Sequence, residues 1–232
     1  TPCVVGRKCG AENIKAMFLF FCPVLHPGVI AKAEVIKKYA YDPSHTCSED
    51  LDLWTRMLND GVTIDCCPDY LMLYRRHSAQ ITAKPSERQN AEVKESMTRF
   101  YEKTLGKMSD GQAEFFINGV YFRNSFDREK LLSFYRYIIS ENRKTKSFSK
   151  KAIIGGMAEV LAEYRRTQNL GFGDKLFFLK FGGLTLVSEI ISRKLQSKKD
   201  IKNAFAAARK ASLKQKGEKF GLPVFIQGDT DE

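Results

Sequence analysis

No apolar run in the 232-residue sequence reaches the roughly 18–20 residues needed to cross a bilayer. The start, Thr1-Pro2-Cys3, lacks a basic segment followed by a long apolar one, so no signal peptide is read there. An initiator Met is missing too, which points to a fragment or a processed chain. Cysteine is absent beyond residue 67: the six are Cys3, Cys9, Cys22, Cys47, Cys66 and Cys67. Their spacings match no zinc pattern, and adjacent Cys66-Cys67 read as strand residues. Without a secretion signal, reduced thiols in a cytoplasmic protein are expected. There is no internal repeat, and no interleaving of aromatic with basic residues that would mark a specific nucleic-acid reader.

Hydrophobic residues make up 43% of the chain, enough for a core and too many for wholesale disorder. The net charge of +11 is uneven. Residues 141–220 hold 19 Lys/Arg against 7 Asp/Glu, and the remainder holds 19 against 20. A near-neutral unit is followed by a basic one, and a basic tail attracts an anionic partner.

Residues 11–21 read as a helix running into an apolar segment. Cys22 to Ala31 read as a loop and short strand punctuated by Pro23, Pro27 and Gly28. A short helix over Ala33 to Tyr39 and a turn at Tyr41-Asp42-Pro43-Ser44 follow. Residues 49–60 read as a helix stopped by Gly61. Val62 to Tyr74 is strand-rich, broken by Pro68-Asp69. From Glu87 the pattern is helical nearly to the end, with Gly155-Gly156 and Gly182-Gly183 weakening two helices.

The segment Thr46-Cys47-Ser48-Glu49-Asp50-Leu51-Asp52-Leu53-Trp54 is the densest in chemistry. Thr46 and Glu49 have capping-box spacing, and Ser48 is an alternative N-cap. At about 100° per residue, Leu51, Trp54 and Leu58 fall on one flank of Asp50 and Leu53 and Met57 on the other. Asp50 is thus expected to face inward, and Asp52 and Arg56 to form an ordinary i,i+4 pair on the outer face. A positioned, partly desolvated carboxylate at a helix N-terminus is what a general base requires. First-turn acids are also favoured by the helix dipole alone, so periodicity does not decide the role. Tyr74-Arg75-Arg76-His77 closes the strand-rich stretch. Its His suits a metal ligand or a switchable donor, and its arginines suit phosphate. An exposed basic strand end would look the same.

The order of these pieces from about Asn13 to Thr82 resembles the C-terminal half of the catalytic domain of family 2 glycosyltransferases with the GT-A fold. The matching residues are His26-Pro27, Tyr41-Asp42-Pro43, Glu49-Asp50-Leu51-Asp52-Leu53-Trp54-Thr55-Arg56, Gly61, and Tyr74-Arg75-Arg76-His77-Ser78-Ala79-Gln80-Ile81. The resemblance implies an α/β fold: a partial GT-A domain over residues 1–85, then a basic, mainly helical extension over 86–232. It implies that Asp50 is the base that deprotonates an acceptor hydroxyl, with Glu49 as its motif partner. It implies His77 as a ligand of a divalent metal, magnesium or manganese. Arg75, Arg76 and His26 would contact the substrate or its diphosphate, and Trp54 would anchor the helix in the core. The partners implied are a nucleotide-diphosphate sugar donor and a saccharide or lipid-linked acceptor, in an inverting transfer. The family's Asp-x-Asp is missing upstream of Glu49, and Asp50-Leu51-Asp52 belongs to the acidic-pair helix. Most of the donor site is therefore expected to be absent.

In the extension, the apolar stretch within Lys175–Leu195 is too short to span a bilayer. It suits either a membrane surface with anionic headgroups or packing on neighbouring helices. Lys198 to Lys219 reads as a basic helix with an alanine stripe. Two other readings compete with a transferase. One is a non-catalytic basic helical module that binds nucleic acid or a membrane surface. The other is a helical scaffold that has kept a decayed transferase segment.

Overall fold

The computed structural model describes residues 10–67, 86–124 and 127–167, together with the isolated Lys202. The first helix, α1 (Ala11–Met17), buries Ile14, Ala16 and Met17. It ends at Met17 and, as expected, runs into an apolar segment. Phe18, Leu19 and Phe20 leave it in a turn that buries all three side chains completely. A continued helix would have spread three consecutive side chains over most of its circumference, leaving one facing water. Each such burial is worth about 1.5–3 kcal/mol. A 3₁₀ turn, His26–Gly28, follows where a short strand is expected. Two more helices succeed it, α2 (Ala33–Tyr39) and α3 (Glu49–Asn59).

The end of α3 is closed as its sequence implies. Gly61 adopts φ +82°, Gly61 N donates to Leu58 O at 3.3 Å, and Val62 N donates to Met57 O at 2.9 Å. This Schellman arrangement satisfies two of the last carbonyls of the helix.

The longest described helices come later. In α4 (Glu87–Thr104), Val93, Met97, Phe100, Tyr101 and Thr104 are buried at three- and four-residue spacing, and Ser86 Oγ caps Gln89 N at 3.1 Å. A capping box between Ser109 and Gln112 opens α5 (Asp110–Phe115), which runs into a π-helical turn, Phe116–Tyr121. Asp127 caps α6 (Arg128–Thr145), and α7 (Lys150–Thr167) follows. Gly156 acts as a contact rather than a weakness. A Cβ there would lie 2.3 Å from Phe20 Cδ2, so only glycine lets that ring lie against α7. Phe20 also meets Tyr135 of α6 edge-on, with ring centroids 6.0 Å apart.

α3 packs along α4, and α1 packs along α7. One hydrophobic cluster draws on α1, α3, α4, α5, α6 and α7, so the helices before and after residue 85 share a core. Tyr101 of α4 ties the two parts further by donating its hydroxyl to the Leu19 carbonyl.

The expected α/β fold is corrected here: among the described residues every regular element is helical and no strand forms. Val62–Cys67, the described part of the expected strand-rich stretch, is irregular. Branched and apolar residues favour a strand only where a neighbouring strand pairs with its N–H and C=O groups, and no described segment offers one. The remainder, up to Tyr74, lies outside the described residues. So do Lys175–Leu195 and, apart from Lys202, Lys198–Lys219. No helix among the described residues is long and apolar enough to cross a membrane. Cys22, Cys47, Cys66 and Cys67 are free thiols.

Candidate active site

The first turn of α3 carries three acids, Glu49, Asp50 and Asp52, in different surroundings. Asp50 is half-buried, and its Oδ1 accepts from Leu51 N at 2.8 Å. Desolvation raises its pKa above the ordinary carboxylate value, and the neighbouring charge of Glu49 adds to the rise. The Leu51 N–H and the charge of His26 act in the opposite sense. Around it stand groups that stay protonated. Burial, then the Asp50 charge, pushes the Cys22 thiol up to about 12. Burial, followed by the charges of Cys22 and Asp50, lifts the Tyr121 hydroxyl well above its usual value, against the pull of Arg123.

His26 is brought to the same place. Its Nδ1 lies 4.0 Å from Glu49 Oε1, and its Nε2 lies 2.9 Å from the Tyr41 hydroxyl. Its ring meets Trp54 edge-on at 6.1 Å. Trp54 is buried, as its anchoring role requires. Three of the expected site residues, His26, Glu49 and Asp50, therefore converge. Arg75, Arg76 and His77 lie outside the described residues.

Asp52 corrects the helical-wheel reading. It was expected on the outer face, but its side chain is fully buried. Oδ2 accepts from Arg56 Nε at 2.8 Å, and Oδ1 accepts from Arg99 Nη2 of α4. Arg56 also donates to the carbonyls of Tyr39 at 2.8 Å and Ala40 at 2.7 Å, tying the end of α2 to α3. The wheel assumed one buried face. α3 is covered on its polar flank as well, by α4.

The segment before α3 also departs from expectation. Ser48 stands at the N-cap, yet neither its hydroxyl nor Thr46 caps the helix. The segment's donors turn instead to Glu92 of α4. Glu92 accepts from Thr46 N at 3.2 Å, Cys47 N at 2.8 Å and Ser48 Oγ at 3.2 Å. Glu92, Arg99, Cys22 and Tyr121 were not legible as site residues. The only local signal was the i,i+4 spacing of Arg88 and Glu92, which looks like any surface pair.

Asp42, His45 and Asp52 form one group of potential metal ligands among the described residues, with ligand atoms within 4.8 Å of one another. They fit a divalent cation poorly. Both Asp52 oxygens are held by guanidinium groups, and His45 Nδ1 contacts Ser44 Oγ at 3.2 Å. A dication would have to displace two arginines. A separate groove of about 710 Å³ runs between α2, α3 and α4, lined by Lys38, Arg56, Asp60, Arg99, Glu102 and Lys103 among others. Asp50 does not line it.

A stretch of 69 residues is 29% identical to a protein of Methanocaldococcus jannaschii described as an uncharacterized glycosyltransferase. The match covers 30% of this chain and 24% of that protein, so the chain corresponds to about a quarter of the relative's length. No family model and no solved structure matches.

Proposed function

We propose that the chain is part of a glycosyltransferase and supplies its acceptor-side base, Asp50. The similarity to a protein described as a glycosyltransferase supports the general activity. The observation that carries the residue assignment is the half-buried Asp50 carboxylate, with its raised pKa, beside Glu49 and His26. The donor would be a nucleotide-diphosphate sugar, and the acceptor a saccharide or a lipid-linked saccharide. Residues 1–85 would form the acceptor-side part, and 86–232 the extension.

The chemistry asks for few groups. Asp50 takes the proton of an acceptor hydroxyl as its oxygen attacks the anomeric carbon; the bond to the diphosphate breaks and that group leaves, inverting the centre. A raised pKa makes Asp50 a stronger base toward a hydroxyl. Cys22 and Tyr121, both held neutral, add no competing negative charge beside it. His26 faces Glu49 and Tyr41 at the half-exposed side, and in this reading it would hydrogen-bond the substrate there. Arg75, Arg76 and His77, expected at the diphosphate, lie outside the described residues, and the acceptor side is where the described groups act.

The test is release of nucleoside diphosphate from a panel of nucleotide-diphosphate sugars, using this chain or a longer protein that contains it. Release that requires an added saccharide and is lost in Asp50→Asn supports the proposal. Acceptor-dependent release that survives Asp50→Asn refutes the base. If no donor is turned over by any longer protein containing the chain, the activity itself is refuted.

A further inference from the structure

We infer that Glu92 of α4 is a positioning residue for Asp50: its carboxylate gathers the three residues before α3 and sets the direction in which the first helical turn presents Asp50. The inference rests on the proposed role of Asp50 as base.

A helix N-terminus has several N–H groups without intrahelical partners, and the preceding residues usually satisfy them. Here that local solution is not used, because Ser48 makes no side-chain cap. The approach to the helix is held from outside. Glu92 Oε2 takes Cys47 N and Ser48 Oγ, while Oε1 takes Thr46 N. Gln89, one turn earlier on α4, donates to the Cys47 carbonyl at 3.3 Å. Arg88 braces the acid from the solvent side, with Nε 2.8 Å from Oε1, and its Nη2 reaches the Ser44 carbonyl at 3.4 Å. Glu92 is 7% exposed. These donors hold its pKa down to about 2 against the cost of desolvation, so it is a carboxylate at any working pH.

A second attachment lies two turns along α4, where Arg99 holds Asp52. Residues 46–48 and residue 52 are thus fastened to the same helix, and Glu49 and Asp50 lie between the fastenings. Neither Glu92 nor Arg99 contacts Asp50, which accepts from the Leu51 N–H and feels the charges of His26 and Glu49 and the nearby Cys22 thiol. α4 therefore fixes the frame and leaves the acid free for an acceptor. Misplacing a catalytic group by about 1 Å can slow a reaction about 100-fold.

Glu92→Gln removes the charge and substitutes an N–H pair for one acceptor oxygen, so the two backbone donors can no longer both be met. We expect kcat for acceptor-dependent transfer to fall about 10- to 100-fold with KM changed little. In the chain alone, carboxyl NMR should show the Asp50 titration moving back toward the ordinary carboxylate value, as the loosened turn admits water. Glu92→Asp, which keeps the charge on a shorter stem, should restore part of both. Glu102→Gln, an exposed charge change on the same helix, should move neither. Gln89→Ala, which removes only the Cys47 carbonyl bond, serves as the milder second variant should Glu92→Gln fail to fold.

An unchanged Asp50 titration and kcat in a folded Glu92→Gln chain would overturn the inference. An equal shift in Glu102→Gln would overturn it too, by showing a long-range charge effect. The two claims separate cleanly. If Glu92→Gln moves the Asp50 titration while Asp50→Asn leaves transfer intact, the proposed function fails and the positioning stands. If Asp50→Asn abolishes transfer while Glu92→Gln changes nothing, the positioning fails and the function stands.

Discussion

Asp50 and Asp52 occupy the same first turn of α3, two residues apart, and the fold treats them oppositely. Asp52 is wholly enclosed, with one oxygen on Arg56 and the other on Arg99. Asp50 is half-enclosed, bonded to the Leu51 N–H, and surrounded by a thiol and a phenol that both stay neutral. Burial with two cations makes an acid structural. Burial without a dedicated cation raises its pKa and leaves it chemically available. The contrast shows that burial by itself does not mark a base; the charge of the partners decides.

The largest test of the contrast removes Asp52. Asp52→Ala leaves two guanidinium groups facing a void and should lower stability by about 3 kcal/mol, at the low end for a broken buried pair. Arg56 and Arg99 are 29% and 41% exposed and can regain water, which is why the low end applies. Urea unfolding measures this, and a loss under about 1 kcal/mol would break the comparison. Next comes Glu92→Gln, with an expected loss of about 1.5–3 kcal/mol for hydrogen bonds to a charged group. Its pH dependence is distinctive. Glu92 is pushed from 4.5 down to about 2 in the folded chain, so its stabilisation is complete above the unfolded value and is lost as pH falls from 4.5 toward 2. The acid limb of the unfolding curve should therefore flatten in Glu92→Gln.

Asp50→Asn has the opposite sign and a smaller size. The folded chain raises the Asp50 pKa, so ionised Asp50 opposes folding. That penalty is absent below the unfolded value and is fully present once pH passes the folded one. The variant should match its parent in acid and be equally or slightly more stable, within about 1 kcal/mol, at neutral pH. Smallest of all is the effect on Cys22. Removing the Asp50 charge should modestly speed its alkylation at mildly alkaline pH, whereas Asp52→Asn should leave the rate as it was. Burial remains the larger cause of its high pKa, so the thiol stays slow in both.

How much of this was legible from sequence follows from the range of the interactions. The helix over Ala33–Tyr39, the helix from Glu49 and its stop at Gly61 were all read correctly, because periodicity and the Schellman glycine are local. The inward setting of Asp50 and the burial of Trp54 came from the same local phase. Asp52 was misread because its second cation, Arg99, lies on another helix 47 residues along the chain. Ser48 does stand at the N-cap, but its hydroxyl turns away to Glu92, 44 residues along the chain, which no local signal could show. The sheet expected around Val62 rested on family order and β-propensity. Propensity cannot supply a pairing partner, and the described residues offer none. Gly156 looked like a flaw in a helix until Phe20 was seen against it.

The most direct measurement is acceptor-dependent sugar transfer by Asp50→Asn and by its parent, in the same longer protein, with folding checked by urea unfolding. The account predicts turnover lower by about 10²- to 10⁴-fold, the usual contribution of a general base, with stability undiminished. Turnover within about twofold of the parent in a folded variant would contradict it.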